Sequence, residues 1–371
     1  MSLSFLLEGQ PQFLKNKGFE VHLASSGNCP TELIQFPFHS IPLSRSINPL
    51  KDFRAIWQLT SVLKKNDIEI IHSHTPKAGL IAMIAARIAR TSVRLHTVAG
   101  LPQDHASKLV STILNITEFL TYFFSHKVFF NSKNQMESQK EKFARFADKF
   151  GIVHNGTSNG IDISRFNNTA SKADLRTKLN LSNDSFYWIF VGRIHRHKGI
   201  IELIDAFNTF DKLNPKKSQL LIIGGLDDAR TDLTHDWTKT IEGDNPNIKF
   251  HGFQSNVEEW LSASDVLVFP SYREGFPNVP LQAAVLGIPI IATDINGCNE
   301  IVANGKNGLL VPIQDVDSIL RSMQSLYDNL SLREKMSRWS KTNVPSKYDR
   351  RVFHEKLLEQ YITLLSKDFL K

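Results

Sequence analysis

The sequence predicts an α/β protein built on two doubly wound parallel sheets, and three observations carry that prediction. Short apolar runs of strand length alternate with longer stretches of helical periodicity along most of the chain, the signature of strand–helix–strand units around a parallel sheet. The alternation comes as two successive series, separated by the polar stretch Ser158 to Asp174, which reads as a linker. A length of 371 residues exceeds one ordinary core and suits two domains.

In the first series, strands are expected at Phe19–Ala24, Ile68–His72, Val93–Val98, Val128–Asn131 and Phe150–His154. Each is a short apolar run of the kind buried on both faces of a parallel sheet. Helices are expected at Leu50–Leu63, Ala78–Ala89, Lys108–Phe123 and Lys133–Ala147. The chain opens on a helical pattern (Phe5, Leu6, Phe13, Leu14) where a doubly wound domain needs a strand, so the first strand is missing from the pattern. Losing a central strand would leave neighbouring backbone groups unpaired. The second series has strands at Phe186–Val191, Gln219–Ile223, Ile248–Phe250, Val266–Phe269, Ile288–Ala292 and Gly308–Val311. A short helix at Leu175–Leu179 precedes it and a last helix, about Arg350 to Leu365, follows it. The expected divisions are residues 1–160, 161–345 and 346–371.

Composition excludes several classes. Hydrophobic content of 41% and charged content of 22% are ordinary for a soluble globular protein. Two cysteines far apart, Cys29 and Cys298, form neither a disulfide framework nor a metal cluster and suit a reducing cytoplasm. Apolar runs such as Leu80–Ile84 and Phe119–Phe124 are too short to span a membrane, and residues 1–9 lack a signal-peptide pattern. The net charge of +7 is uneven: residues 1–150 hold 18 Lys+Arg against 11 Asp+Glu, and the rest holds 26 of each. A basic domain attracts anionic partners, here an anionic membrane surface, or else simply carries solvated lysines. Nucleic acid is not expected, because aromatic stacking platforms are not interleaved with the cations. Leu109, Ile113, Ile116, Leu120 and Phe123 recur at helical spacing. Core packing is the default reading of that stripe, and its place in the basic domain opens a membrane-facing one.

Residues 191–198 read Val-Gly-Arg-Ile-His-Arg-His-Lys, and residues 273–278 read Arg-Glu-Gly-Phe-Pro-Asn. Arg193 and Lys198 fall between an expected strand and an expected helix, at the sheet edge where open α/β folds bind ligands. Two cations beside a helix N-terminus suit a diphosphate, and Glu274 is placed to grip sugar hydroxyls beyond it. The inferred ligand is a nucleotide diphosphate sugar. N–H groups of Asn278 and Val279, after Pro277, are expected to face the phosphates. Asp315-Val316-Asp317, the only Asp-x-Asp, precedes a helical pattern and reads as an N-cap rather than a metal site. His195 and His197 read as solvated or phosphate-adjacent side chains, not as bases.

These motifs form part of an ordered set. Ser2-Leu3 with Gly9-Gln10, His72-Ser73-His74-Thr75-Pro76, Thr97-Val98-Ala99-Gly100-Leu101-Pro102, Asn159-Gly160-Ile161-Asp162, Asp294 to Glu300 and Asn307 to Pro312 follow one another over nearly the whole chain. With the Arg193/Lys198 and Glu274 motifs, the set resembles the retaining glycosyltransferases of the GT-B fold, in the large 4-like, group 1 family that builds bacterial surface polysaccharides. The resemblance implies two Rossmann-like domains facing across a cleft: an acceptor-binding domain (1–160), a nucleotide-sugar-binding domain (161–345) and a last helix (346–371) crossing back to the first.

The implied activity is metal-independent, cofactor-free retaining transfer of a hexose or N-acetylhexosamine. The implied donor is UDP-linked. The implied acceptor is a polyprenyl-linked glycan of capsule, O-antigen or exopolysaccharide synthesis, and the implied place is the inner face of the cytoplasmic membrane. Arg193, Lys198 and Glu274 take the catalytic roles. The donor site adds Gly192, Gly275, Phe276, Pro277, Asn278, Val279 and Gln282, and the acceptor side Gly9, Gln10, His74, Lys77, Ala99 and Asp104. Two positions depart from the family: Gln282 replaces its second glutamate, and Ala99 replaces a histidine that many members carry. Strand alternation puts His96 on the face opposite Ala99, so His96 does not substitute. Two alternatives remain open: a non-catalytic nucleotide-sugar-binding partner in an assembly complex, and a nucleotide-sugar epimerase with the same two-domain architecture.

Overall fold

The structure is a computed structural model that describes residues 6–43, 48–101, 107–166, 170–215, 218–226 and 233–368. The chain divides into two compact units, Met1–Gly160 with Arg350–Lys371, and Ile161–Asp349.

The first unit runs α1 (Gln10–Asn16), β1 (Leu23–Ser25), β2 (Phe38–Ser40), α2 (Pro49–Lys65), β3 (Ile70–Ser73), α3 (Pro76–Ala89), β4 (Val93–Val98), α4 (Lys108–Phe124), β5 (Lys127–Phe130), α5 (Lys133–Lys142) and β6 (Phe150–Gly151), and closes with the C-terminal helix Arg350–Asp368. Strands β3, β4, β5 and β6 form a parallel sheet in that order, and β1 pairs only with β2. Among the described residues no strand joins β1 to β3, so the strands form two sheets instead of one; residues 1–5 lie outside the described residues. Pairing on β2, a strand the sequence pattern did not reveal, begins at Leu23↔Phe38, which moves β1 later than Phe19. The strand at Phe150 is only two residues long, and His154 turns the chain at φ 54°.

Both faces of the four-stranded sheet are covered. On one, Phe353, Leu357 and Tyr361 of the C-terminal helix pack with Val93, Leu95 and Phe129. On the other, Leu59 and Leu63 of α2 meet Ile81, Met83 and Ala85 of α3. Helix α2 begins where its residues dictate: the Asn48 side chain accepts from the Lys51 N–H at 3.1 Å, and Pro49 needs no donor. Helix α4 corrects the default expectation of a core stripe. Leu109, Ile113, Ile116 and Phe123 are exposed, and only Leu120 is half-buried.

The second unit runs α6 (Lys172–Lys178), β7 (Phe186–Val191), α7 (Ile200–Leu213), β8 (Ser218–Ile223), α8 (His235–Asp244), β9 (Ile248–Phe250), α9 (Val257–Ala263), β10 (Val266–Phe269), α10 (Asn278–Leu286), β11 (Ile290–Thr293), α11 (Cys298–Ile301), β12 (Gly308–Val311), α12 (Val316–Asp328), α13 (Leu330–Asn343) and α14 (Pro345–Tyr348). Its parallel sheet has the order β12-β11-β10-β7-β8-β9. Strand β7 is central and apolar throughout because both of its faces are buried. Trp188 and Phe190 pack with Phe207 of α7 and Met323 of α12, whereas Tyr187 and Ile189 pack with Leu261 of α9 and Leu281 of α10. Each such side chain contributes about 1.5–3 kcal/mol on burial. Strand β11 starts two residues later than expected, because Gly287 (φ 75°) ends α10 and Ile288-Pro289 complete the turn. The chain leaves β7 for β8 on one side and later returns to β10 on the other. That reversal of strand order opens a crevice at the carboxyl ends of β7 and β10.

Candidate active site

Three loops meet at that reversal, and glycines let their backbones touch. Gly199 sits at φ 70° between a 3-10 turn, Arg196–Lys198, and α7. A Cβ there would lie 2.0 Å from the Pro270 carbonyl oxygen, so the loop after β7 rests directly on the end of β10. Gly297 (φ 79°) plays the same part between the loops after β11 and β10, since its Cβ would lie 2.4 Å from the Gly275 oxygen. Gly199→Ala is therefore expected to destabilise the second unit by about 2–4 kcal/mol, from positive φ and a backbone clash together. Denaturant titration checks this, and an unchanged midpoint would show that the loop relaxes freely.

The packed loops bring Lys198 to Glu274. The Lys198 ammonium makes a short ion pair with Glu274 Oε1, to which Ser271 Oγ also donates at 2.8 Å. Both charged side chains are largely shielded, at 20% and 14% exposure, so their attraction is screened less than that of a surface pair. Ser271 is fully buried, and its carbonyl accepts from Thr293 Oγ1 of β11. Lys198 Nζ also lies 5.7 Å from the Phe269 ring centroid. Burial, then the neighbouring Glu274 carboxylate, push the Cys298 thiol well above its ordinary value, so it stays protonated. Beside the pair, Tyr272 donates its hydroxyl to Glu202, and its backbone N–H bonds the His197 carbonyl at 2.9 Å. Burial, then Glu202, push its phenol up to about 12.

The residues expected from sequence take distinct places. Gly192 and exposed Arg193 follow β7 directly, and Gly275 follows Glu274. His195 accepts the His197 N–H at 3.1 Å and stacks on its ring at 4.9 Å, so it caps the turn. Phe276 belongs to the core, its ring 5.6 Å from Tyr348, so its side chain serves packing. Pro277 is the N-cap of α10, whose first residues Asn278 and Val279 have no side-chain cap. Gln282 lies half-buried further along α10. Sequence reasoning missed Ser271, Tyr272, Thr293 and Glu202. Ser271 and Tyr272 had a signal, as polar residues directly after a strand and just before Glu274.

In the first unit, Gly9 (φ 76°) precedes α1. Buried Gln10 lines a small cavity with His72, His74, Thr97, Asn131 and Thr157. His72 bonds Tyr361 Oη and Thr97 Oγ1, both at 2.7 Å, and the His74 ring lies 4.2 Å from it. Burial pushes His74 down to about 4, so it is neutral at pH 7. His96 bonds Ser73 Oγ at 2.9 Å and packs against Gly79 of α3, away from the His72 side. Lys77 is paired with Asp52 at 2.7 Å, and Ala99 is half-buried after β4. Asp104 lies outside the described residues.

Residues 171–342 match glycosyl transferases group 1, and residues 4–132 match glycosyl transferase 4-like. Over 366 residues the chain is 31% identical to the capsular polysaccharide biosynthesis glycosyltransferase CapM of Staphylococcus aureus, covering 97% of this chain and 94% of the relative. The chain belongs to the group 1 glycosyltransferases. This glycosyltransferase is also 28% identical over 327 residues to a UDP-Gal:alpha-D-GlcNAc-diphosphoundecaprenol alpha-1,3-galactosyltransferase of Escherichia coli, covering 86% of this chain and 82% of the relative. Its structure matches a sucrose-phosphate synthase of Thermosynechococcus elongatus with a TM-score of 0.81, at 21% identity over 97% of this chain and 93% of that one. It matches Anabaena HepE in complex with UDP at 0.78, with 19% identity over 96% of this chain and 97% of that one. At such identities the likeness shows the fold, which is GT-B.

Proposed function

We propose that this glycosyltransferase moves a hexose or N-acetylhexosamine from a UDP-sugar to a polyprenyl-diphosphate-linked glycan. Transfer retains anomeric configuration, requires no metal, and serves the synthesis of a surface polysaccharide at the inner face of the cytoplasmic membrane. The observation that carries the proposal is the shielded Lys198–Glu274 pair at the strand-order reversal of the second unit, where Arg193 leaves the carboxyl end of β7. An ammonium has three donors. With one on Glu274, the others are available to diphosphate oxygens, whose negative charge grows as the anomeric C–O bond breaks. Glu274, held by Lys198 and Ser271, offers its remaining acceptor positions to sugar hydroxyls. The acceptor hydroxyl attacks from the face the leaving group vacates, and the departing phosphate oxygen takes its proton, so no protein base is required.

Lys198 and Arg193 stabilise the leaving charge in the way preorganised cations do. Asp315 is already committed as the N-cap of α12, accepting from Ser318 N at 2.8 Å and Ser318 Oγ at 2.6 Å. UDP and a diphosphoundecaprenol acceptor are supported by the similarity to the E. coli galactosyltransferase, whose name specifies both. Peripheral attachment is the reading for the membrane: among the described residues no helix is long and apolar enough to cross one.

The test is incubation of purified enzyme with polyprenyl-diphosphate acceptors and a panel of radiolabelled nucleotide sugars, with and without EDTA. Transfer from one UDP-sugar, undiminished by EDTA, is expected. No transfer from any donor by folded enzyme would sink the proposal, and an epimerised free nucleotide sugar formed without acceptor would replace it with an epimerase.

A further inference from the structure

We infer that the second unit holds a separate binding site for a small organic phosphate, in a cavity at the amino edge of its sheet, with Arg333, Lys341 and Lys172 as the phosphate contacts.

The cavity has a volume of about 590 Å³, within the range of small-molecule sites, and its described lining residues all belong to the second unit. It opens where β10 and β11 begin: Ser264 and Asp265 precede the first strand, and Ile288 and Pro289 lead into the second. Helix α6 adds Lys172, and α13 adds Arg333, Ser337 and Lys341 at steps of four residues, one face of a helix. Parallel strands gather their amino ends on one edge and their carboxyl ends on the other. The cavity and the crevice with Lys198 and Glu274 therefore lie at opposite edges of one sheet, separated by the length of β10, about 13 Å. A ligand in the cavity does not overlap one held by Lys198.

Charge selects the occupant. The two carboxylates that line the cavity are already engaged. Asp265 accepts from Lys172 Nζ at 2.6 Å, from Arg176 Nη2 at 2.8 Å and from the Tyr187 N–H at 2.7 Å, and exposed Glu334 pairs with Arg338 at 3.7 Å. The cations are not neutralised to the same degree. Arg333 is half-buried and held in place: Nη1 donates to the carbonyls of Leu326 and Tyr327 at the end of α12, and the guanidinium lies 5.0 Å from the Phe186 ring centroid. Its Nε and Nη2 have no hydrogen-bond partner among the described residues, and a guanidinium already fixed loses little freedom when it meets a phosphate. Lys341 lays its stem over Gly287 and makes no ion pair among the described residues. Partial burial, opposed by Asp265 but joined by Arg176 and Arg333, lowers the Lys172 pKa. Crowded positive charge of this kind is relieved by an anion. Three cations match a phosphate dianion, to which charge-assisted hydrogen bonds are the strong ones. Buried Phe166 and Pro289, with half-buried Leu286 and Ile288, give the organic part of the ligand an apolar surface that a bare ion would leave unused.

The test is calorimetric titration of the full-length protein with phenyl phosphate, phenol and inorganic phosphate, with UDP present throughout to occupy the proposed donor site. Saturable binding of phenyl phosphate with a Kd of about 1 mM or tighter is expected, and the other two probes should bind at least about tenfold more weakly. Lys172→Gln/Lys341→Gln should weaken phenyl phosphate about tenfold or more by removing two charge-assisted contacts. Arg176 keeps Asp265 paired in that variant, so its thermal midpoint should stay near that of the wild type. Lys341→Glu, at a side chain with no ion pair to lose, should weaken binding as well and guards against misfolding of the double variant. Lys335→Gln, which removes an exposed cation of α13 outside the cavity, should change nothing. Absence of saturable binding, equal affinity for inorganic phosphate, or equal binding by the wild type and both cavity variants would each overturn the inference.

Discussion

Replacing Lys198 by Ala is expected to lower turnover on the order of a hundredfold or more, a loss of roughly 2–4 kcal/mol of transition-state stabilisation. The ammonium's interaction strengthens as charge builds on the leaving diphosphate, so kcat should fall along with kcat/KM. The ion pair adds a second cost. Without Lys198, the Glu274 carboxylate keeps Ser271 Oγ at 2.8 Å but loses its shielded counter-charge. Lys198→Ala and Glu274→Gln should consequently be non-additive, because the two side chains share one contact. Arg193→Ala should lower kcat as well. Gln282→Glu restores the family's carboxylate away from the reacting bond, so it should change the donor KM and leave kcat within about threefold. Steady-state kinetics of the variants decide the matter. Near-normal kcat in Lys198→Ala and Arg193→Ala, with Gln282→Glu controlling the rate, would reverse the assignment.

Acidification is expected to unfold the first unit before the protein's carboxylates are extensively protonated. Four of its histidines are held neutral by burial: His74 and His354 are pushed down to about 4, His96 to about 3, and His72 well below its ordinary value. The last three are also bonded, His354 to Asn159 at 2.7 Å, His96 to Ser73 at 2.9 Å and His72 to Tyr361 at 2.7 Å. In the unfolded chain each titrates near 6.5, so the unfolded state binds more protons than the native state below that pH. Their stabilisation is complete above about pH 6.5 and is lost progressively as the pH falls toward about 4 and 3. One displaced pKa unit corresponds to about 1.36 kcal/mol, so the combined effect is several kcal/mol. Thermal melts at about pH 7.5, 6 and 5 should show a falling first transition. A midpoint constant over that range would mean that these imidazoles are solvated.

Much of the architecture was legible because parallel strands and their helices write their burial into the sequence. Strands β4, β7, β9, β10 and β12 start and stop where the expected runs do, since strands covered by helices bury most of their residues, and β7 and β10, central in their sheet, are apolar throughout. Strands β1, β2 and β6 were shifted, missed or shortened. They are two or three residues long, and their limits depend on a partner strand rather than on composition. The stripe on α4 was misread for a related reason: periodicity reports that one face of a helix is apolar, not whether anything covers it.

Local chemistry was enough to bring out the Gly-Arg…Lys and Arg-Glu-Gly-Phe-Pro-Asn motifs and the family, because residue type and chain order are properties of the sequence itself. Tertiary structure alone decided that Lys198 and Glu274, 76 residues apart, share a contact. It also recruited Ser271 and Thr293 to that contact, buried Phe276 in the core, and turned His96 toward Gly79. The contacts among Lys198, Glu274, Ser271 and Thr293 follow from strand order: β10 lies beside β7 although three helices and two strands intervene. Which loops then touch is set by backbone approach at Gly199 and Gly297, a distance that no pattern along the chain encodes.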